Sequence, residues 1–186
     1  MMTTATKITF LRLILIPVMV IFLVIPEFSN KEIIGLSINQ FIAAIIFVIA
    51  SFTDFLDGYI ARKYDQITNF GKFLDPIADK VLVLAAMTYL ISTGQVFFWA
   101  VLIIIFREFL VTGIRLLAVE KGDVIAASPY GKAKTIVTMI ALIIMMFNNL
   151  FIPVIVVKII WYLAVLLTVV SGLDYLIKNI KIFKEN

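Results

Sequence analysis

Six apolar runs, each about as long as a bilayer is thick, leave this chain few ways to fold. A hydrocarbon core about 30 Å thick needs roughly 20 apolar residues of helix. The runs are Ile8–Ile25, closed by Pro26, then Ile38–Ile60, Phe73–Ile91, Val96–Leu117, Tyr130–Leu150 and Val154–Ile177. They predict an all-α integral membrane bundle of six transmembrane helices. Of the 186 residues, 63% are hydrophobic, against roughly 45–50% in soluble domains. "STGQ" (Ser92–Gln95) and "NNLFIP" (Asn148–Pro153) are turn-like breaks between neighbouring helices. No repeat or low-complexity linker is visible, so a single membrane domain over residues 1–186 is expected. The first run has no small-residue cleavage site after it and is expected to remain as a membrane helix.

Six spans place both termini on one side. That side holds Lys7, Arg12, Arg62, Lys63, Lys72, Lys121, Lys132, Lys134, Lys178, Lys181 and Lys184, whereas the other holds Lys31, with Lys158 just inside the sixth run. The asymmetry predicts cytoplasmic termini in the cell membrane. The net charge of +4 suits anionic lipid and phosphorylated substrates alike; no nucleic-acid partner is expected. Cysteine and histidine are both absent. Disulfides, thiolate metal sites and imidazole bases are thereby excluded, leaving Asp, Glu, Lys and Tyr for proton transfer.

Between the second and third runs the chain reads "SFTDFLDGYIARKYDQITNFGKFLDPIADK" (Ser51–Lys80). Asp54 and Asp57 are three apart and Asp75 and Asp79 four apart, so each pair shares one helix face. A short loop carrying Asp65, read as solvated, would bring the two acidic faces together. Carboxylates in a membrane helix cost on the order of 3 kcal/mol each at mid-span. Close like-charged pairs repel by about 1–4 kcal/mol at surface-like dielectric. Arg62 offsets part of this. Hard divalent cations such as Mg²⁺, Mn²⁺ or Ca²⁺ resolve the rest, and Mg²⁺ commonly bridges carboxylates to phosphates. The expectation is a metal-assisted reaction on a phosphate or diphosphate at the cytoplasmic face. Gly58, Ala61 and Gly71 would let a ligand approach the helices closely; the plain alternative is small-residue helix packing. Pro76 admits two readings: helix three starts here with Asp75 as N-cap and Pro76 at the first helical position, or it starts near Asn69 and kinks.

Asp54, Asp57, Gly58, Ala61, Arg62, Gly71, Asp75 and Asp79 reproduce D-x2-D-G-x2-A-R-x8-G-x3-D-x3-D without departure. The pattern resembles the signature of the CDP-alcohol phosphotransferases. The resemblance implies two divalent ions, Mg²⁺ or Mn²⁺, held by Asp54, Asp57, Asp75 and Asp79, with Asp79 also the general base. It implies that Asp57, Gly58, Ala61, Arg62 and Gly71 line the site for the CDP-linked lipid.

The fourth run carries Arg107 and Glu108 near its middle and Arg115 eight residues on; the fifth opens with "YGKAKT", bearing Lys132 and Lys134. Ionisable residues inside a membrane are functional candidates by default. Arg107, Arg115 and Lys132 are expected to form a basic pocket opposite the acidic one, suited to an acceptor alcohol that itself carries phosphate. The plain alternatives are a salt bridge from Glu108 to Arg115 or Lys132, and positive-inside anchoring for Lys132 and Lys134. "REFLVTGIR", "GKAKT" and "TFLRLILIPV", with Thr9, Arg12 and Pro17, resemble the branch of the family that makes phosphatidylglycerol phosphate. That likeness implies CDP-diacylglycerol and sn-glycerol 3-phosphate as substrates, CMP as the leaving product and a homodimer in the lipid bilayer. The branch's Asn-Pro-rich lead-in is replaced here by "MMTTATKI", which leaves the role of the first helix open.

Family members with other acceptors, inositol phosphate, serine or a second phosphatidyl lipid, share the acidic signature and differ only at the basic pocket. An aromatic prenyltransferase would need more helices. A cation or proton carrier would place its carboxylates near mid-bilayer, often with inverted repeats. Trp99, Trp161 and Tyr162 read as interface or lipid contacts, and the seven methionines as core filler. The tail "IKNIKIFKEN" reads as a topology determinant.

Overall fold

A computed structural model describes residues 4–25, 32–63, 69–122, 125, 128–150 and 152–183, with the side chains of 4–6, 54–63, 69, 70, 72, 73, 182 and 183 outside that description. Six α-helices dominate: α1 (Thr4–Val24), α2 (Ile38–Lys63), α3 (Asn69–Ser92), α4 (Phe98–Glu120), α5 (Pro129–Met146) and α6 (Val154–Lys178). A two-stranded hairpin, β1 (Glu32–Ile33) and β2 (Leu36–Ser37), precedes α2, and a 3₁₀ turn (Ile180–Phe183) follows α6. Among the described residues, three stretches are long and apolar enough to cross a membrane: Lys7–Val24, Pro129–Met146 and Val154–Lys178, with Ile38–Thr53 a shorter apolar part of α2. Helices α3 and α4 are of comparable length. Their apolar stretches are interrupted by Asp75, Asp79 and Lys80 in one and by Arg107, Glu108 and Arg115 in the other.

The chain divides into two compact units. The first runs to Thr93 and takes in Leu142–Phe151. In it α1 packs on both α2 and α3, and α2 packs on α3. The buried stripe of α1 is Thr9, Arg12, Ile16 and Met19, at helical spacing. Its opposite side exposes Phe10, Leu11, Ile14 and Ile21, a surface suited to lipid. Pro17 lies inside α1, as membrane helices tolerate.

The hairpin pairs Glu32 with Ser37 and Ile33 with Leu36. Its two loop residues, Ile34 (φ 55°) and Gly35 (φ 73°), both have positive φ, as a type I′ turn demands. Glycine accepts this freely, whereas β-branched Ile34 is strained there. The hairpin delivers Ser37 as a cap for α2: its Oγ accepts the Gln40 N–H at 3.3 Å. Asn39 Nδ2 donates to the Ile25 carbonyl at 3.1 Å, and Gln40 Nε2 to the Met146 carbonyl at 3.3 Å. Phe41 and Phe147 meet edge to face at 6.2 Å. Ala43, Ala44, Phe47 and Ala50 of α2 are fully buried, as are Ala78, Leu82, Ala86 and Leu90 of α3. Small residues on facing helices allow this close approach. Helix α3 begins at Asn69 and carries Pro76 within it, which decides between the two sequence readings. Pro76 has no N–H, so the carbonyl four residues back, at Lys72, lacks its helical donor.

The second unit comprises Gly94–Ala141 and Ile152 onward, and in it α4 packs on α6. Ser128 caps α5, its Oγ accepting the Gly131 N–H at 3.1 Å, with Pro129 at the first helical position. Val111, Ile114 and Tyr175 form a small core with Leu110, Ile125 and Leu176 against it. The sequence reading of Trp161 as an interface residue is corrected: it is buried in α6. Trp99 and Tyr162 are exposed and stack at 6.2 Å.

Candidate active site

The acidic residues divide by helix. Asp54, Asp57, Gly58, Ala61 and Arg62 fall on the last turns of α2; their side chains, and Asp65 altogether, lie outside the described residues. On α3, Gly71 is buried and Asp75 and Asp79 are half-buried. The two carboxylates stand one turn apart on one face of α3. Helices α2 and α3 pack on each other within the first unit. Among the described residues no group of three or more potential ligands gathers, since two of the four aspartates are outside that set.

Asp75 is held from an unexpected direction. The Thr9 hydroxyl, on α1, donates to Asp75 Oδ1 at 2.6 Å. Thr9 is 1% exposed and Arg12, one turn on, is 0% exposed. The sequence places Arg12 among the flanking cations, names Thr9 and Arg12 as part of the family likeness, and leaves the role of α1 open. The available signal was the three-residue spacing of two polar residues in the otherwise oily run Ile8–Ile25. An ionised carboxylate offers about four lone-pair sites, and the Thr9 hydroxyl takes one. Asp75 and Asp79 present only carboxylate oxygens, in a chain without histidine or cysteine. That donor chemistry fits a hard divalent ion such as Mg²⁺ or Mn²⁺.

In the second unit, Arg107 Nη1 donates to Glu108 Oε1 at 3.0 Å, and Lys134 Nζ donates to the same oxygen. The side chains of Arg107 and Lys134 are only 12% and 6% exposed, and that of Glu108 30%. The expected partners of Glu108, Arg115 or Lys132, are thus replaced by Arg107 and Lys134. The reading of Lys134 as a surface anchor is corrected with them. Two cations share one carboxylate, so the cluster carries a formal charge of +1 in a poorly hydrated place. Such a cluster attracts an anion. Arg107 Nε is also buried without a hydrogen-bond partner.

Two glycines shape this arginine. A Cβ on Gly172 would lie 3.0 Å from Arg107 Cγ, and one on Gly131 would lie 3.3 Å from Arg107 Nη2. Helices α5 and α6 therefore approach Arg107 with bare backbone. Arg115 is exposed; its Nε donates to the Tyr175 hydroxyl at 3.2 Å and its guanidinium lies 5.7 Å from the centre of that ring. Lys132 is exposed on the first turn of α5. The structure thus gathers Arg107, Glu108 and Lys134 into one cluster and leaves Arg115 with Tyr175. Lys134, Gly131, Gly172 and Tyr175 were not singled out from sequence as site residues. A buried lysine is invisible in a positive-inside count, and isolated glycines in a membrane helix read as packing.

Residues 2–170 match the family model described as CDP-alcohol phosphatidyltransferase. A Bacillus subtilis protein named CDP-diacylglycerol–glycerol-3-phosphate 3-phosphatidyltransferase is 40% identical over 192 aligned positions, covering 100% of both chains. Proteins of the same name from Haemophilus influenzae and Rickettsia bellii are 40% and 43% identical, covering 90% and 73% of this chain and 88% and 77% of theirs. With the family model spanning most of its length, the chain belongs to the CDP-alcohol phosphatidyltransferase family.

Proposed function

We propose that the chain transfers the phosphatidyl group of CDP-diacylglycerol to sn-glycerol 3-phosphate, releasing CMP and forming phosphatidylglycerol phosphate. The observation that carries this reading is full-length similarity, 40% identical over the whole of both chains, to a protein named for that reaction. The net-positive cluster of Arg107, Glu108 and Lys134 supports it, because the acceptor brings a phosphate of its own.

In this reading Asp54, Asp57, Asp75 and Asp79 hold two divalent ions, Mg²⁺ or Mn²⁺, which when bound neutralise charge on the diphosphate and the leaving oxygen. Asp57, Gly58, Ala61, Arg62 and Gly71 bind the CDP-lipid head. The Asp79 carboxylate takes the proton of the acceptor's primary hydroxyl; no histidine is present to do so. The resulting oxygen forms a bond to the lipid-side phosphorus as the phosphorus–oxygen bond to CMP breaks, and CMP leaves with that electron pair. Arg107, Arg115 and Lys132 hold the acceptor phosphate, with planar guanidinium forks matched to its oxygens. Lys134 shares Glu108 with Arg107 and keeps that arginine oriented.

The remaining parts of the reading are a single domain of six membrane-crossing helices, cytoplasmic termini and active site, and a homodimer in the cell membrane. The Lys and Arg asymmetry supports the orientation; family likeness supports the homodimer.

The test offers purified protein CDP-diacylglycerol and Mg²⁺ with one acceptor at a time. CMP release with glycerol 3-phosphate is the expected result. Release only with inositol phosphate or serine would overturn the acceptor assignment while leaving the reaction type in place.

A further inference from the structure

We propose that Thr9 is a positioning residue for Asp75, which makes α1 a supporting wall of the metal site. The proposal rests on the reading of Asp75 as a metal ligand. Its basis is the hydrogen bond from the Thr9 hydroxyl to Asp75 Oδ1 at 2.6 Å, which joins residues 66 apart in sequence.

Hydroxyls on the helices of this chain usually bond locally. Ser51 donates to the Phe47 carbonyl, Thr88 to Leu84, Thr112 to Glu108, Thr135 to Gly131 and Thr168 to Ala164, each four residues back. Thr9 reaches a carboxylate on another helix. It does so from a fully buried position, where a threonine has little to gain by packing over an alanine or valine. The same stripe of α1 continues with buried Arg12 and then turns apolar at Ile16 and Met19. Its polar residues are the two nearest the N-terminal end, and the Thr9 bond ties that end to the early turns of α3.

The chemistry follows from the donor. An O–H donating to a carboxylate is a charge-assisted bond and among the shorter and stronger kinds. It fixes the Asp75 rotamer, occupies one lone pair of Oδ1 and leaves the other oxygen for a cation. Partners that orient a ligating carboxylate matter about as much as the ligand geometry itself, and losing one typically costs 10–100-fold in metal affinity.

The test measures Mn²⁺ binding by electron paramagnetic resonance on full-length protein in detergent, with no substrate and no turnover. Thr9→Val keeps the shape and removes the donor; its Mn²⁺ affinity is expected to fall about 10–100-fold. Thr9→Ser keeps the donor and is expected to bind within about threefold of the parent. Asp75→Asn is expected to lose binding at least as severely as Thr9→Val. If Thr9→Val does not fold, Thr9→Ala carries the same comparison. Parent-like affinity in the donor-less variant, alongside weak binding in Asp75→Asn, would overturn the positioning role and leave the metal reading standing. Equal weakness in the Ser and Val variants would also overturn it, because loss of packing rather than of the donor would then be the cause. Parent-like binding in Asp75→Asn would instead remove Asp75 from the metal site, and the proposal with it.

Discussion

Arg107 lies against Gly172 so closely that a single added carbon would displace it. A Cβ at position 172 would come to 3.0 Å from Arg107 Cγ, close to the arginine's backbone where little side-chain freedom remains to absorb the clash. Gly172→Ala is therefore expected to raise the KM for glycerol 3-phosphate about tenfold or more, since small misplacements of a binding group are costly. The KM for CDP-diacylglycerol should stay put. Gly131→Ala meets the mobile end of the same side chain at 3.3 Å and should act in the same direction more weakly. Steady-state kinetics with each substrate varied in turn check both; a parallel rise in both KM values would point to general loosening of the helices.

Glu108 is shared by two buried cations, so removing its charge leaves Arg107 and Lys134 without their common counter-charge. Breaking a buried pair by deleting one partner costs about 3–5 kcal/mol; Glu108 is 30% exposed, which favours the low end. Glu108→Gln is expected to lose about 3 kcal/mol of stability in denaturation experiments. Adding Lys134→Met on that background should restore part of the loss. A double variant less stable than Glu108→Gln alone would contradict the charge account.

The Tyr175 hydroxyl accepts from Arg115 at 3.2 Å, with the ring beneath the guanidinium. Deleting one hydrogen bond of this kind costs about 0.5–1.5 kcal/mol. Tyr175→Phe should therefore raise the acceptor KM about 3–10-fold without altering CDP-lipid binding. Arg115→Ala should have the larger effect in the same direction. Equal loss for both substrates in Arg115→Ala would assign that arginine a structural role.

Asp79 lies one turn beyond Asp75 on α3. In the base role, Asp79→Asn should lower turnover by about 10²–10⁴, while CDP-lipid binding survives in part. Stripping divalent ions with a chelator should abolish CMP release, and Mg²⁺ or Mn²⁺ should restore it. Near-parent turnover in Asp79→Asn would remove the residue from proton transfer.

Much of the helical fold was legible because apolar runs set against Pro, Gly and polar breaks are a strong signal. Helix α6 was expected at Val154–Ile177 and runs Val154–Lys178, and α4 was expected at Val96–Leu117 and runs Phe98–Glu120. Helix α3 was legible only to within a choice, since Pro76 suits a helix start as well as an interior. The hairpin before α2 was not legible: its strands are two residues long and Ile34-Gly35 is a poor advertisement for a type I′ turn. Spacing marked the aspartates and arginines as candidates because their charge is conspicuous in an oily chain. It gave no sign that Thr9 bonds Asp75 or that Lys134 pairs with Glu108, contacts between buried residues far apart in sequence. It also misplaced the partners of Glu108, because a list of nearby cations does not say which of them points inward.

The central claim is a direct transfer of a phosphatidyl group to the acceptor's hydroxyl. It is tested most directly by supplying glycerol 3-phosphate carrying oxygen-18 in its primary hydroxyl, together with CDP-diacylglycerol and Mg²⁺, and following the label by mass spectrometry. The expected result is label in the phosphodiester of a lipid that contains glycerol phosphate, and unlabelled CMP. Label in CMP, or a lipid product without glycerol phosphate, would contradict it.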